Sequence, residues 1–179
     1  MLRIEIPPTE LFNEEDNTFT QFKGSVLTLE HSLVSVSKWE SRWCVPFLSK
    51  NEKTALETLD YIRCMTLTQN VDDEVYKHLS QANIQAIEEY IDRPMTATTI
   101  TDRSRRQNRE IITAEIIYYW MIALNVPFEC QKWHLNRLLM LINVCSIKQE
   151  DPKKMRGKAL NMKNKALNEQ RRAALGTRG

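Results

Sequence analysis

Glycine and proline are both scarce, at 4 and 6 of 179 residues. So few glycines exclude collagen-like repeats, glycine-rich linkers and the loops that cradle nucleotide phosphates. Long apolar runs are missing as well. The longest, Ile116 to Leu124, has nine residues, about half of what a bilayer span needs. Met1 to Pro8 contains no continuous apolar stretch, so no secretory leader and no membrane association are expected. Neither CxxC nor HExxH occurs. The paired carboxylates Asp72-Asp73 and Glu88-Glu89 are sequence neighbours, which do not face each other on a helix. The sequence therefore points to no catalytic residues, no cofactor and no metal site, and the expectation is a protein that is not an enzyme.

What is present suits a soluble, helix-rich fold. Apolar residues make up 42% and charged residues 27% of the chain, and the formal net charge is only +2. That total hides a division. Residues 148–179 hold ten Lys or Arg against three Asp or Glu, a local +7, which leaves about −5 on the first 147 residues. A basic tail on a mildly acidic body suits acidic protein surfaces or nucleic acid. The four cysteines, at 44, 64, 130 and 145, read as buried thiols, with two disulfides the alternative. Cys130 and His134 lie one helical turn apart and could face one ion, but a packed thiol beside a half-buried imidazole is the simpler reading.

Along the chain, Leu2, Ile4 and Ile6 alternate with charged residues, and Ser25 to Leu29 follows Gly24. Both read as strands, with an acidic, polar segment (Asn13 to Gln21) between them. Leu33, Val34 and Val36 continue that apolar character. Lys38 to Phe47 reads as a short helix, bent or ended at Pro46. Further helices are expected near 52–66 and 80–92, the second capped by Ser80, with Asp72 or Asp73 opening a short turn between them. Thr98 to Thr101 suits a strand or an extended loop. Two strongly apolar helices follow, Glu110–Leu124 and Glu129–Ile147, broken at Asn125-Val126-Pro127. The first is apolar on most of its circumference and is expected to be central. The fold class is mainly α with a small N-terminal β element (α+β) and a central helical hairpin. One globular domain spans 1–150, and a basic flexible or partner-ordered tail spans 151–179.

Three surfaces are candidates for partner binding. Trp39, Arg42, Trp43 and Phe47 combine aromatics with arginine, as protein contact sites do, whereas Trp120 and Trp133 are expected in the core. Arg103, Arg105, Arg106 and Arg109 gather before a helix N-terminus, where positive charge is unfavourable unless an anion answers it. Their partner could be internal, at Glu14-Glu15-Asp16 or Asp72-Asp73-Glu74, or another chain. Lys153, Lys154, Arg156, Lys158, Lys163, Lys165, Arg171 and Arg172 form the basic arm. A helix-turn-helix reading of 110–147 is weakened by the thin polar face of its second helix, where Gln131, Lys132, Asn136, Arg137 and Asn143 are the exposed candidates.

Three segments carry a resemblance. Leu27 to Glu40, Leu59 to Thr68, and Ala114 to Met121 continuing through Trp133 to Leu138 resemble tailed-bacteriophage tail-assembly chaperones or related tail-associated proteins, across much of residues 25–147. The resemblance implies noncatalytic protein binding in the host cytoplasm, with phage tail proteins as partners: the tape measure protein, or the tail tube that assembles around it. A permanent virion component such as a connector or tail part is one alternative. Nucleic-acid binding through the basic tail is a second, and homo-oligomerisation is compatible with each.

Overall fold

The structure is a computed structural model that describes residues 1–13, 18–49, 51–99, 111–149, 161–162 and 164–171. It is mainly helical with a small N-terminal β element, as expected. Strands β1 (Leu2–Ile6) and β4 (Ser25–Leu29) pair antiparallel, Leu2 opposite Leu29 and Ile6 opposite Ser25. Ile4, Ile6, Leu27 and Leu29 are buried, the inward half of a period-2 pattern. Between these strands, β2 (Thr9–Asn13) and β3 (Thr18–Phe22) form a second antiparallel pair. The stretch read as a polar interruption therefore supplies part of two more strands. Its Thr-Phe-Thr-Gln-Phe run has β propensity that the neighbouring acidic residues obscure. Gly24 permits the return to β4. Its φ is +76°, and a Cβ there would stand 2.9 Å from Ile6 O and Pro8 N, a position that only glycine fills without strain.

Helix α1 (Leu33–Trp43) starts at Leu33, not Lys38. Leu33, Val34 and Val36 are helical, a correction to the expected extension of the β region. The cause is a reciprocal cap: Ser35 N donates to Ser32 Oγ, and Ser32 N donates to Ser35 Oγ, which satisfies two amides of the first turn. Cys44, in the left-handed region at φ 53°, ends the helix. Helix α2 (Ala55–Met65) opens with a Thr54–Glu57 capping box, and α3 (Asp73–Lys77) with an Asp72 cap. Ser80 caps α4 (Gln81–Asp92). Residues 98–99 form no regular element.

Helices α5 (Ala114–Ala123) and α6 (Leu135–Gln149) follow in the expected order. A 3-10 turn (Phe128–Lys132) occupies the first part of the span assigned to the second helix. Tertiary pairing explains the difference. Leu135 N donates to His31 O at 2.8 Å, and Ser32 and His134 form a β-bridge. This chain crossing holds residues 133–134 extended beside the β4–α1 junction.

The most deeply buried side chains include Leu27, Leu29, Leu33, Val36, Trp39, Met65, Ile87, Ile117, Met121, Leu135 and Leu138. They come from strands and helices alike, and α1 packs against α2, α5 and the 3-10 turn. The chain divides into two compact units, Met1–Ile142 and Asn143–Gly179. In the second unit, residues 161–162 and 164–171 are helical and exposed throughout, Met162 and Leu167 included. Among the described residues, no helix is long and apolar enough to cross a membrane.

Candidate functional site

The aromatic–arginine group on α1 is largely an internal structure. Trp39 is only 1% exposed and Phe47 is 7% exposed, a correction to the expectation that both belong to a partner-binding surface. Trp39 Nε1 donates to Glu57 O at 2.9 Å. Its ring meets Phe47 edge-on at 5.2 Å, and Phe47 lies 4.0 Å from Tyr61. Lys53 Nζ sits 4.3 Å over Phe47, and burial, opposed by Glu57, lowers its pKa. Trp43 and Arg42 do reach solvent, yet both are tied to Asp60: Trp43 Nε1 donates to Oδ2 at 3.0 Å and Arg42 Nη1 to Oδ1 at 2.6 Å. The i, i+4 spacing on α1 brings the two tryptophans together, stacked at 6.2 Å. It could not tell which face of α1 points inward.

Exposed apolar groups also lie on and beside α5, whose N-terminus Glu40 holds. This buried α1 carboxylate accepts from Phe47 N at 2.7 Å through Oε1 and from Ala114 N at 2.8 Å through Oε2. Thr113, the N-cap of α5, makes no side-chain cap bond. Glu40 therefore supplies from another helix the negative charge that an α5 N-terminus favours. Ala114, Ile117 and Met121, one helical stripe, pack inward. That leaves Tyr119 66% and Ile122 61% exposed, with Ile111 at 63% before the helix and Phe128 at 52% after it. Tyr118 lies beside Phe128 at 6.4 Å and donates to Gln131 Oε1 at 2.9 Å. The expectation that this helix, apolar on most of its circumference, is central is thus corrected: α5 is buried on one face only. Trp120 on α5 and Trp133 are half-buried rather than core, and Arg137 stacks 4.2 Å over Trp133.

The remaining candidates are placed as follows. Arg103, Arg105, Arg106 and Arg109 lie outside the described residues, as do Lys153, Lys154, Arg156, Lys158, Lys163 and Arg172. Lys165 and Arg171 are exposed in the second unit. The polar positions that invited a groove-reading helix are partly used inside the protein. Gln131 accepts from Tyr118, and Asn136 Nδ2 donates to Ile91 O and Arg93 O, both at 2.9 Å, closing the end of α4.

Two histidines stand out for chemistry. His31 and His134 are both buried, with ring centroids 5.1 Å apart. His31 Nδ1 hydrogen-bonds the Tyr61 hydroxyl, and His134 Nε2 donates to Tyr90 O at 3.0 Å while Nδ1 accepts from Asn136 N. Burial first, and then His134, bring His31 down to about 3, and burial lowers His134 as well. Both rings are thus held neutral, as packing groups. Burial raises the Cys64 and Cys130 thiols, which lowers their thiolate fraction. All four cysteines are free, and Cys44 is exposed, a correction to its reading as buried. Cys130 and His134 belong to no cluster of three metal-binding side chains among the described residues.

No protein-family model matches the chain, and no curated protein or solved structure matches it.

Proposed function

We propose that this chain is a noncatalytic protein-binding factor whose docking surface is the outward face of α5 and the 3-10 turn after it. The observation that carries this reading is the exposure of Tyr119 and Ile122, i and i+3 on α5, and of Phe128 on the turn that follows, each more than half exposed, with the α5 N-terminus held by the Glu40 carboxylate. Aromatic and aliphatic anchors on a rigid scaffold are what protein interfaces use. Together with the resemblance in residues 25–147, this supports a role in phage tail assembly. The partner in this reading is an apolar segment of an elongated tail protein, the tape measure protein first. Such a factor acts in the host cytoplasm before the tail is complete.

The test is co-expression of the tagged chain with the tape measure protein, wild type against Ile122→Asp. Ile122 faces solvent, so far-UV circular dichroism and the melting temperature should be unchanged, whereas co-purification should fall sharply. Undiminished recovery with the variant would remove α5 from the docking surface. A mass-spectrometric inventory of purified particles then separates two roles: absence fits a chaperone, and stoichiometric presence makes the chain a virion part. Salt-sensitive retention on DNA with no tail protein bound would replace the reading with nucleic-acid binding.

A further inference from the structure

A cavity of about 520 Å³ is lined by residues of α1, α2 and α3 and by Val71. Its lining brings three cations together: Lys38 and Arg42 from α1, and Arg63 from α2. Arg63 is held in place, its guanidinium 5.4 Å over the Tyr76 ring. Its Nε is buried and makes no hydrogen bond, the sole such side-chain atom found among the described residues. The nearest carboxylate oxygen, Asp73 Oδ1, is 3.5 Å away, and Asp73 is itself mostly in solvent. Arg42 is paired with Asp60. Lys38 has no ion-pair partner among the described residues. An orphaned buried donor in native packing calls for an explanation, and here it lies on the cation that closes a positively charged pocket.

We infer that this pocket is a binding site for a phosphate group. Its positive groups come from two walls, Lys38 and Arg42 from α1 and Arg63 from α2. A planar carboxylate presents its two oxygens in one plane. A tetrahedral phosphate spreads its oxygens, so one group can accept from both walls at once, with arginine forks and a lysine as its usual partners. The two carboxylates beside these arginines, Asp60 and Asp73, take up part of the charge, so that Lys38 supplies the surplus. Free phosphate and the phosphoryl group of a small organic phosphate share this chemistry. The cavity lies within the 300–1,000 Å³ range typical of small-molecule pockets. The Cys64 thiol on the lining is raised by burial, so it serves as wall rather than as nucleophile. None of its lining residues belongs to α5 or the 3-10 turn.

The experiment is an amide NMR titration of the full chain with sodium phosphate, with sodium acetate at matched ionic strength, and with glycerol 3-phosphate. Saturable shifts confined to the amides around 38–42, 63–64 and 73–76 are expected with phosphate and not with acetate. Lys38 is exposed, so Lys38→Gln and Lys38→Glu should fold normally; the charge reversal should weaken phosphate binding by about tenfold or more. Tighter binding of glycerol 3-phosphate assigns an organic phosphate, and equal binding assigns the free ion. Acetate matching phosphate, shifts that never saturate, or affinity unchanged in Lys38→Glu would each overturn the assignment.

Discussion

Glu40 ties together two backbone amides far apart in the chain, Phe47 N and Ala114 N. Because the carboxylate is buried, removing it leaves two amides without an acceptor, each costly to strand. Glu40→Ala should lower stability by about 2–4 kcal/mol in urea unfolding. Glu40→Gln should cost less, because the amide oxygen still serves one donor. His31 gives the second residue-scale prediction. Its folded pKa is about 3 against an ordinary value of 6.5. Between those values the unfolded chain binds a proton that the folded chain refuses, so stability rises with pH across that window. It should be lost on acidification from 6.5 toward 3, on the order of 4 kcal/mol from this group, with no contribution above 6.5. Urea midpoints measured above and below that window check it, and a flat profile would contradict the burial argument. Neither role could be read from the sequence, because each depends on a partner more than twenty residues away.

At the scale of the element, α2 and α5 show when a pattern is legible. In α2 the helix could be read from the spacing of Ala55, Leu56, Leu59, Ile62 and Met65, but its inward side only in part: Ile62 and Met65 are buried, whereas Ala55 and Leu56 are exposed and Asp60, Tyr61 and Cys64 take their place inside. In α5 nearly every residue from Ile116 to Ala123 is apolar. A 3.6-residue period without polar contrast has no phase, so the helix was legible and its buried side was not. Packing resolves it. Met121→Ala should cost about 2–5 kcal/mol, as large-to-small core changes do, whereas Ile122→Ser, one residue on, should stay within about 0.5 kcal/mol. Paired thermal melts give the comparison, and similar losses for both would contradict the orientation of α5. The early start of α1 and the 3-10 turn at 128–132 escaped for another reason. One depends on Ser32 and Ser35, residues equally at home in turns, and the other on a chain crossing at His31 that no local window contains.

Over the whole molecule, the mainly helical class with N-terminal strands follows from periodicity and from the scarcity of glycine and proline. The division of charge along the chain was likewise open to counting. Which side chains stay exposed was not, because exposure is a property of the assembled core. Deleting residues 152–179 removes helical residues that are exposed wherever they are described. The unfolding free energy of the Met1–Ile142 unit should therefore change by less than about 1 kcal/mol, measured by urea titration of the truncated chain. A collapse of that transition would mean the tail is part of the fold.

Trp120, half-buried on α5, has an optical consequence. Trp39 lies deep in the core and should emit at short wavelength whether or not a partner is present. The indole on α5 sits where solvent relaxation lengthens its emission, next to the residues that a partner would cover. Association at that face should therefore register as a blue shift in intrinsic fluorescence, and Trp120→Phe should abolish most of it. The molecule carries its own reporter at the place where contact is proposed, and occupancy can be followed in real time without a label.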